Sequence, residues 1–344
     1  MKKIGLLTFL TFSLTITCPA QSEKAKVAVY PVAFYNLENL YHPESTDELR
    51  DKEFSPEGNK AWTMEKYRKK LANMAYAISC IAKEYGGPVA LGVSEIGNRK
   101  VLEDLLETGE LKSKNWTIAH YESPDRRGVD VGLLYNPNIF KVTSSHPYPY
   151  RHPTNPDFHT RDQLLVSGTL AGEPFHIIVN HWPSRYGGGS SSILREYAAA
   201  LSKHIADSIR AADPKAKIVI MGDLNDDPSD KSVKDVLKAK RTQKDTKESD
   251  LFNTMWPLFD KGIGSLAYNG AWCLYDQIII SGNLLTKDRT KLSFYQARVF
   301  NEDFLTDKEG KYKGYPMRTF RGDTFVNGYS DHFPTYILLV KERK

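Results

Sequence analysis

The chain has 344 residues and a formal charge of +5, which becomes +3 once Lys2 and Lys3 are subtracted with a cleaved leader. That mild excess excludes the dense cationic surface of a dedicated nucleic-acid coat. No C-x-x-C pattern is present, and Cys80 and Cys273 read as two buried thiols, with a single disulfide as the alternative.

Lys2 and Lys3 precede the apolar run Ile4–Ile16, and Cys18-Pro19-Ala20 places small residues before Gln21. The pattern predicts a signal peptide over residues 1–20. The run is too short for a membrane span, which needs about 20 apolar residues. A lipoprotein acylated at Cys18 is the rival, disfavoured because Thr17 suits that processing poorly. Either way the product is exported, periplasmic or secreted, with no stable membrane span. Residues 21–344 contain no linker, repeat or low-complexity tract and are expected to form one domain.

Strands are predicted at Val29–Tyr35, Val89–Val93, Trp116–Tyr121, Val131–Tyr135, Gln163–Leu170 and Phe175–Val179. Further strands follow at Ile218–Met221, Gln277–Ser281, Phe294–Phe300 and Thr335–Val340. Trp62–Tyr85 carries Tyr67, Leu71, Met74, Ile78 and Ile81 on one helical stripe, and Lys100–Leu106, Ile193–Ala211 and Ser232–Lys240 are further helix candidates. Ile218–Met221 and Ile278–Ile280 are continuous apolar runs, as expected of strands covered on both faces. These elements fit two packed sheets with helices outside. The basic stretch Lys231–Lys247 also holds Asp235 and Asp245 and reads as a solvated face.

Strand ends carry the chemistry. The run ending at Tyr35 passes into Asn36-Leu37-Glu38-Asn39, and the run ending at Val93 into Ser94-Glu95-Ile96. Val179 leads to Asn180-His181-Trp182-Pro183-Ser184-Arg185, and Met221 to Gly222-Asp223-Leu224-Asn225-Asp226. Gly328-Tyr329-Ser330-Asp331-His332 precedes the last strand. Taken singly, such residues usually cap turns. Together they supply hard oxygen and amide donors and two histidines, a set suited to Mg2+ or Mn2+ rather than zinc.

Seven motifs in this order resemble the endonuclease/exonuclease/phosphatase superfamily: N-x-E-N (Asn36–Asn39), S-E-I (Ser94–Ile96), R-G-V-D-V-G-L-L-Y (Arg127–Tyr135), N-H-W-P-S-R (Asn180–Arg185), G-D-L-N-D (Gly222–Asp226), D-Q-I (Asp276–Ile278) and S-D-H-F-P (Ser330–Pro334). The resemblance implies an α+β, DNase-I-like fold, a four-layer α/β/β/α sandwich of two packed mixed sheets with outer helices. It further implies that Glu95 is the principal metal ligand, with Asn36 holding the metal and its neighbouring carboxylate and Asp331 adding a second carboxylate. In the same way, Asp276 would orient His332, Asp223 would position the attacking water, and Asn225 would donate to a phosphoryl oxygen. Either His332 or Asp223 could serve as the base. His181 and Arg185 would bind non-bridging oxygens, with Asn180 beside them. Asp130 lies on the family's substrate-side strand, or is a structural carboxylate satisfied by Arg126 or Arg127. Gly187-Gly188-Gly189 reads as a lid or spacer rather than a phosphate cradle, and Trp272 as core packing rather than a stacking platform.

The expected activity is phosphoester hydrolysis with Mg2+ or Mn2+, a nuclease first and a phosphatase on inositol phosphates or sphingomyelin-like lipids second. A catalytically dead module would lack one of Glu95, Asp223, Asn225, Asp276 or His332, and all are present. The phosphate-ester substrate, with nucleic acid as one form of it, is the expected partner; nothing points to a protein partner.

Overall fold

The computed structural model describes residues 27–46 and 51–343, so the leader and Cys18 lie outside the described residues. In chain order the strands are β1 (Val27–Leu40), β2 (Ala90–Ile96), β3 (Thr117–His120), β4 (Asp130–Tyr135), β5 (Phe140–Tyr148), β6 (Gln163–Leu170), β7 (Glu173–His181) and β8 (Lys217–Asp223). They continue with β9 (Ala239–Lys240), β10 (Leu251–Asn253), β11 (Leu266–Tyr268), β12 (Ala271–Cys273), β13 (Asp276–Ser281), β14 (Ser293–Val299), β15 (Phe320–Arg321), β16 (Thr324–Phe325) and β17 (Thr335–Glu342). The longer helices are α1 (Met64–Cys80), α2 (Arg99–Leu106) and α3 (Ser192–Ala212).

Two mixed sheets result, ordered β14-β17-β1-β2-β4-β3 and β5-β6-β7-β8-β13-β10-β9. Three apolar cores stack between four layers. Tyr67, Met74 and Ile78 of α1 and Leu102 of α2 pack on Tyr35 and Val93 of the first sheet. Phe34 and Leu133 of the first sheet meet Ile177, Met221 and Ile278 of the second. Ala199 and Ile205 of α3 cover Ile178 and Ile220 on the far side. Met221 and Ile220 therefore point into different cores, which is why this strand reads as a continuous apolar run. The sandwich implied by the resemblance is present.

Besides the short strands β10, β11, β12, β15 and β16, which the sequence reading did not mark, three elements differ from the sequence expectation. The exposed, polar edge strand β5 lacks the apolar run that marks a strand, and Pro147 sits within it. Ser232–Lys240 is one wide π turn, Ser232–Val236, followed by the short β9. The helix of Trp62–Tyr85 is confined to Met64–Cys80, with Thr63 capping the N–H of Lys66. Cys80 and Cys273 are both free and half-buried. Among the described residues no helix is long and apolar enough to cross a membrane.

The sheets bring the polar motifs to one edge. β7 and β8 are parallel, with His181 opposite Asp223, and antiparallel β13 sets Asp276 opposite Asp223. Motifs at the ends of β1, β2, β7 and β8 thus meet motifs at the starts of β4, β13 and β17. Gly222 makes this convergence sterically feasible: a Cβ there would lie 2.2 Å from the carbonyl oxygen of Asn180. Gly222→Ala is expected to destabilise the fold by about 1–3 kcal/mol through overpacking. An unchanged urea midpoint would show that the two strand ends can separate freely.

Candidate active site

Bulges aim the carboxylates. β1 pairs regularly with β2 up to Asn36, then slips before Leu40, with Glu38 and Asn39 at φ 49° and 52°. β2 slips against β4 between Ser94 and Ile96, with Glu95 at φ 57°. Asn225, just past β8, has φ 52°. Left-handed backbone at non-glycine residues costs about 1–2 kcal/mol each. Bulges recur beside active sites because they re-aim single side chains out of the pleat. Here they turn Glu38 and Glu95 toward the open edge.

Asp223, Asp276 and His332 form the floor. Nδ1 of His332 lies 2.6 Å from Oδ2 of Asp276, and the hydroxyl of Ser265 donates to the same oxygen at 2.5 Å. Nε2 of His332 is 3.8 Å from Oδ2 of Asp223 and 3.9 Å from Oδ1 of Asp331. Burial alone would depress the His332 pKa, but the carboxylates of Asp276, Asp223 and Asp331 outweigh it and hold it well above the ordinary range. Burial pushes Asp223 up to about 7, opposed by His332 and reinforced by Asp276 and Glu95. His181 shares Asp223 with His332, its Nε2 lying 3.7 Å from Asp223 and 3.9 Å from Glu95. Burial, then the charges of Arg161, Arg127 and His332, push its pKa well down, so its imidazole is neutral.

Glu95 and Asp331 line one cleft of about 470 Å3, along with Glu38, Asn39, Arg127 and Arg318. Oε2 of Glu95 accepts the N–H of Asn39 at 3.0 Å and lies 3.6 Å from Arg127. Oε1 is turned toward His181. The cleft offers carboxylate and amide oxygens and no thiolate, beside the cations Lys60, Arg127 and Arg318, and that donor chemistry fits a hard divalent cation on Glu95 and Asp331. Among the described residues, Asp223–Asp276–His332 and His120–Glu122–Asp130 are also compact enough to hold an ion. In the first group Nδ1 of His332 is committed to Asp276, so Nε2 is the nitrogen left to meet an ion.

A buried network supports the cleft. Lys70 of α1, 1% exposed, donates to the Thr319 hydroxyl at 2.5 Å and to the carbonyl of Tyr329, with Oε2 of Glu38 at 3.6 Å. Glu38 also accepts the N–H of Thr319 at 2.6 Å, and Arg318 bridges Glu38 and Asp331. Burial, with the charge of Asp331, raises the Glu38 pKa to about 7 against the pull of Lys70. A carboxyl raised in this way stabilises the fold below its unfolded pKa and loses that contribution as pH rises through about 7. Lys70→Met is therefore expected to cost up to about 3 kcal/mol at pH 8, where charged Glu38 keeps only Arg318 and the Thr319 N–H to offset its burial. The cost should shrink at pH 5, as read by urea unfolding at both values; equal penalties would separate Lys70 from Glu38.

The sequence-derived site residues divide. Glu95, Asp223, Asp276, Asp331, His181 and His332 converge. Asn36 converges too, but its amide donates to Asp223 at 3.0 Å and its oxygen accepts the Glu38 N–H at 2.9 Å, so it braces Asp223 rather than Glu95. The Asn225 amide reaches the Trp182 carbonyl at 3.0 Å while its N–H bonds Asp223 at 3.0 Å.

Three expectations need correction. Asn180 is fully buried, donating to Ile178 and Met221 carbonyls and accepting from Trp182 and Ser202, so its amide belongs to the scaffold. Arg185 turns away to Asp226, Asp230 and the Asn225 carbonyl, with its guanidinium over Tyr275, and braces that loop. Asp130 is structural, but its partners are His120 and Ser123 rather than Arg126 or Arg127.

Residues missed by sequence reading are Lys70, Arg318 and Arg161, which clamps the carbonyls of His181 and Trp182. Lys70 alone left a signal, a lysine on the apolar stripe of α1. Gly187-Gly188-Gly189 is an exposed lead-in to α3, as a spacer would be. Trp272 is part-exposed but stacked on Phe333 at 6.0 Å, which favours packing.

The profile of the "Endonuclease/Exonuclease/phosphatase family" matches residues 31–341, nearly the whole chain. The chain belongs to that family. Its members hydrolyse phosphoester bonds and depend on divalent metals. No curated protein matches the chain. Among solved structures, Danio rerio TDP2 complexed with single-strand DNA product superposes with a TM-score of 0.54 and 14% identity, over 91% of this chain and 99% of that one. A mannosyl-6-phosphatase of Bacteroides thetaiotaomicron gives 0.55 and 14%, over 90% and 99%. The human Nocturnin catalytic domain with bound sulfate gives 0.54 and 16%, over 93% and 96%. At these identities the likeness speaks for the fold of the family and not for a substrate.

Proposed function

We propose that the protein is an exported phosphoesterase that uses Mg2+ or Mn2+ and acts as a nuclease on phosphodiester bonds. The carrying observation is the array at the sandwich edge, in which Asp276 orients His332, Asp223 faces both His332 and His181, and Glu95 faces His181. Export rests on the leader-like residues 1–20, and the metal on the oxygen donors of Glu95 and Asp331.

A cation bound at Glu95 and Asp331 would neutralise phosphate charge and stabilise the leaving oxygen. Asp223, held by Asn36 and by the N–H of Asn225, positions the attacking water and receives its proton. His332, with Nδ1 fixed on Asp276, turns Nε2 to the phosphoryl oxygens. Neutral His181 adds a second ring donor on the same face without introducing charge. Hydrolysis of a small phosphate is the second reading, because a mannosyl-6-phosphatase resembles this fold as closely as DNA-bound TDP2 does.

The test is hydrolysis of plasmid, single-stranded DNA, RNA, bis-p-nitrophenyl phosphate and inositol phosphates in Mg2+, Mn2+ or EDTA. Polynucleotide cleavage that EDTA abolishes and salt weakens is expected. Turnover confined to small esters would select the second reading. No metal-dependent turnover on any ester would overturn both.

A further inference from the structure

Beside the cleft of Glu95 lies a second cavity of about 670 Å3 that shares Arg318, Gly322 and Asp331 with it. The two adjoin at the carboxylate next to His332. One wall is the hairpin β11–β12, whose turn residues Asn269 and Gly270 have φ 49° and 81°, as a tight primed turn requires. The hairpin's foot is tied to the catalytic floor. Ser265 donates to Asp276 at 2.5 Å, and the N–H of Phe333 donates to the Ser265 carbonyl at 2.6 Å. The other wall is the segment 307–322, closed on itself by Gly314 to Asp307 and Asp307 to Tyr315 bonds of 2.8 Å.

Aromatic contacts run from the floor to this wall: Trp272 stacks on Phe333 and meets Tyr315 edge-on at 5.4 Å. Tyr315, Tyr312 and Tyr268 then line the cavity, with Tyr312 39% and Tyr268 65% exposed. Lys311 and Arg321 lie over the Tyr312 ring at 4.8 and 5.3 Å. Arg321 pairs with Asp307 and Arg318 with Asp331 and Glu38, which leaves Lys311 as the lining cation with no carboxylate partner among the described residues.

We infer that this cavity seats an unpaired nucleotide beside the scissile phosphate, which makes single-stranded polynucleotide the substrate. The inference rests on the nuclease activity proposed above and names its substrate class. An acyl chain would not match a lining that carries Lys311, Arg321, Asn269 and Asp307. A sugar monophosphate spends its one phosphate at the catalytic floor and leaves Lys311 without an anion. A polynucleotide brings a further phosphate with every nucleotide, and an unpaired base offers its face to tyrosine. A paired base keeps both faces in its own stack and cannot enter between two projecting walls.

The experiment measures anisotropy of a fluorescein-labelled single-stranded octanucleotide in EDTA, where cleavage is off, for wild type, Tyr268→Ala, Tyr268→Phe and Lys311→Ala. Wild type should bind the single strand more tightly than the same sequence in duplex, and mannose 6-phosphate should not compete. Tyr268→Ala should weaken binding at least about fivefold while Tyr268→Phe, which keeps the ring, retains it. Lys311→Ala should lower the slope of log affinity against log salt by about 0.7. Equal binding by wild type and Tyr268→Ala, or preference for duplex, overturns the inference. Metal-dependent hydrolysis of bis-p-nitrophenyl phosphate by wild type is scored separately. Its presence alongside a failed binding test leaves the phosphoesterase assignment standing, and its absence removes that assignment.

Discussion

Replacing His332 with alanine is expected to lower metal-dependent turnover by about 10²–10³-fold, the usual contribution of a fixed donor aimed at developing negative charge. The ring is held at 2.6 Å by Asp276, and its second nitrogen is the one that faces Asp223 and Asp331. The same variant also has a structural cost. Asp276 is fully buried, its Oδ1 has no partner among the described residues, and its Oδ2 would keep only the Ser265 hydroxyl. An uncompensated buried carboxylate costs about 3–5 kcal/mol. Activity must therefore be read well below the melting temperature, with circular dichroism confirming the fold. Asp276→Asn provides the control, because its amide keeps the shape and removes the charge that orients the imidazole. Turnover near wild type in folded His332→Ala would remove this histidine from the reaction.

Glu95→Gln should have a comparable effect by a different route. The side chain is only partly buried, and Gln can still accept the Asn39 N–H that Oε2 now accepts at 3.0 Å. The backbone at φ 57° is unchanged by the substitution, so melting should stay close to wild type. What is lost is the ligand charge. Removing groups that merely support a metal ligand costs about 10–100-fold in affinity or activity, so loss of the ligand should cost at least that much. Titration with Mn2+ followed by calorimetry should show the affinity falling, with kcat reduced by two orders of magnitude or more at saturating metal. Unaltered Mn2+ affinity would place the cation elsewhere, with the Asp223–Asp276–His332 group the next candidate.

Much of the site was legible because its residues sit at strand ends. An apolar run that stops in Asn-Leu-Glu-Asn or Gly-Asp-Leu-Asn shows both the element and the side chains it delivers. The motifs at Asn36, Glu95 and Asp223 could be read in this way, while Asp276 and His332, which stand at or before strand starts, came with the family resemblance; the structure gathers all five on one edge. Asn180 and Arg185 sit in an equally polar motif, yet one is buried in scaffold hydrogen bonds and the other turns to Asp226 and Asp230. A motif specifies residue type; the direction of each side chain depends on the neighbouring strand. Glu38 and Glu95 reach the cleft only because bulges shift their strands out of register, a feature that strand periodicity does not encode.

Sequence alone determined the fold class, the family motifs and the inventory of carboxylates, amides and histidines, because alternation, burial and strand-end residues are local properties. Tertiary structure decided which of them meet. Lys70 lies 249 positions from Thr319 and 259 from Tyr329, yet it bonds both beneath the cleft. The tyrosine-walled cavity likewise joins a hairpin near residue 268 to a segment near 312. Such long-range pairs form because burying two sheets face to face leaves one arrangement that covers every apolar face, and no local pattern records the partners it brings together.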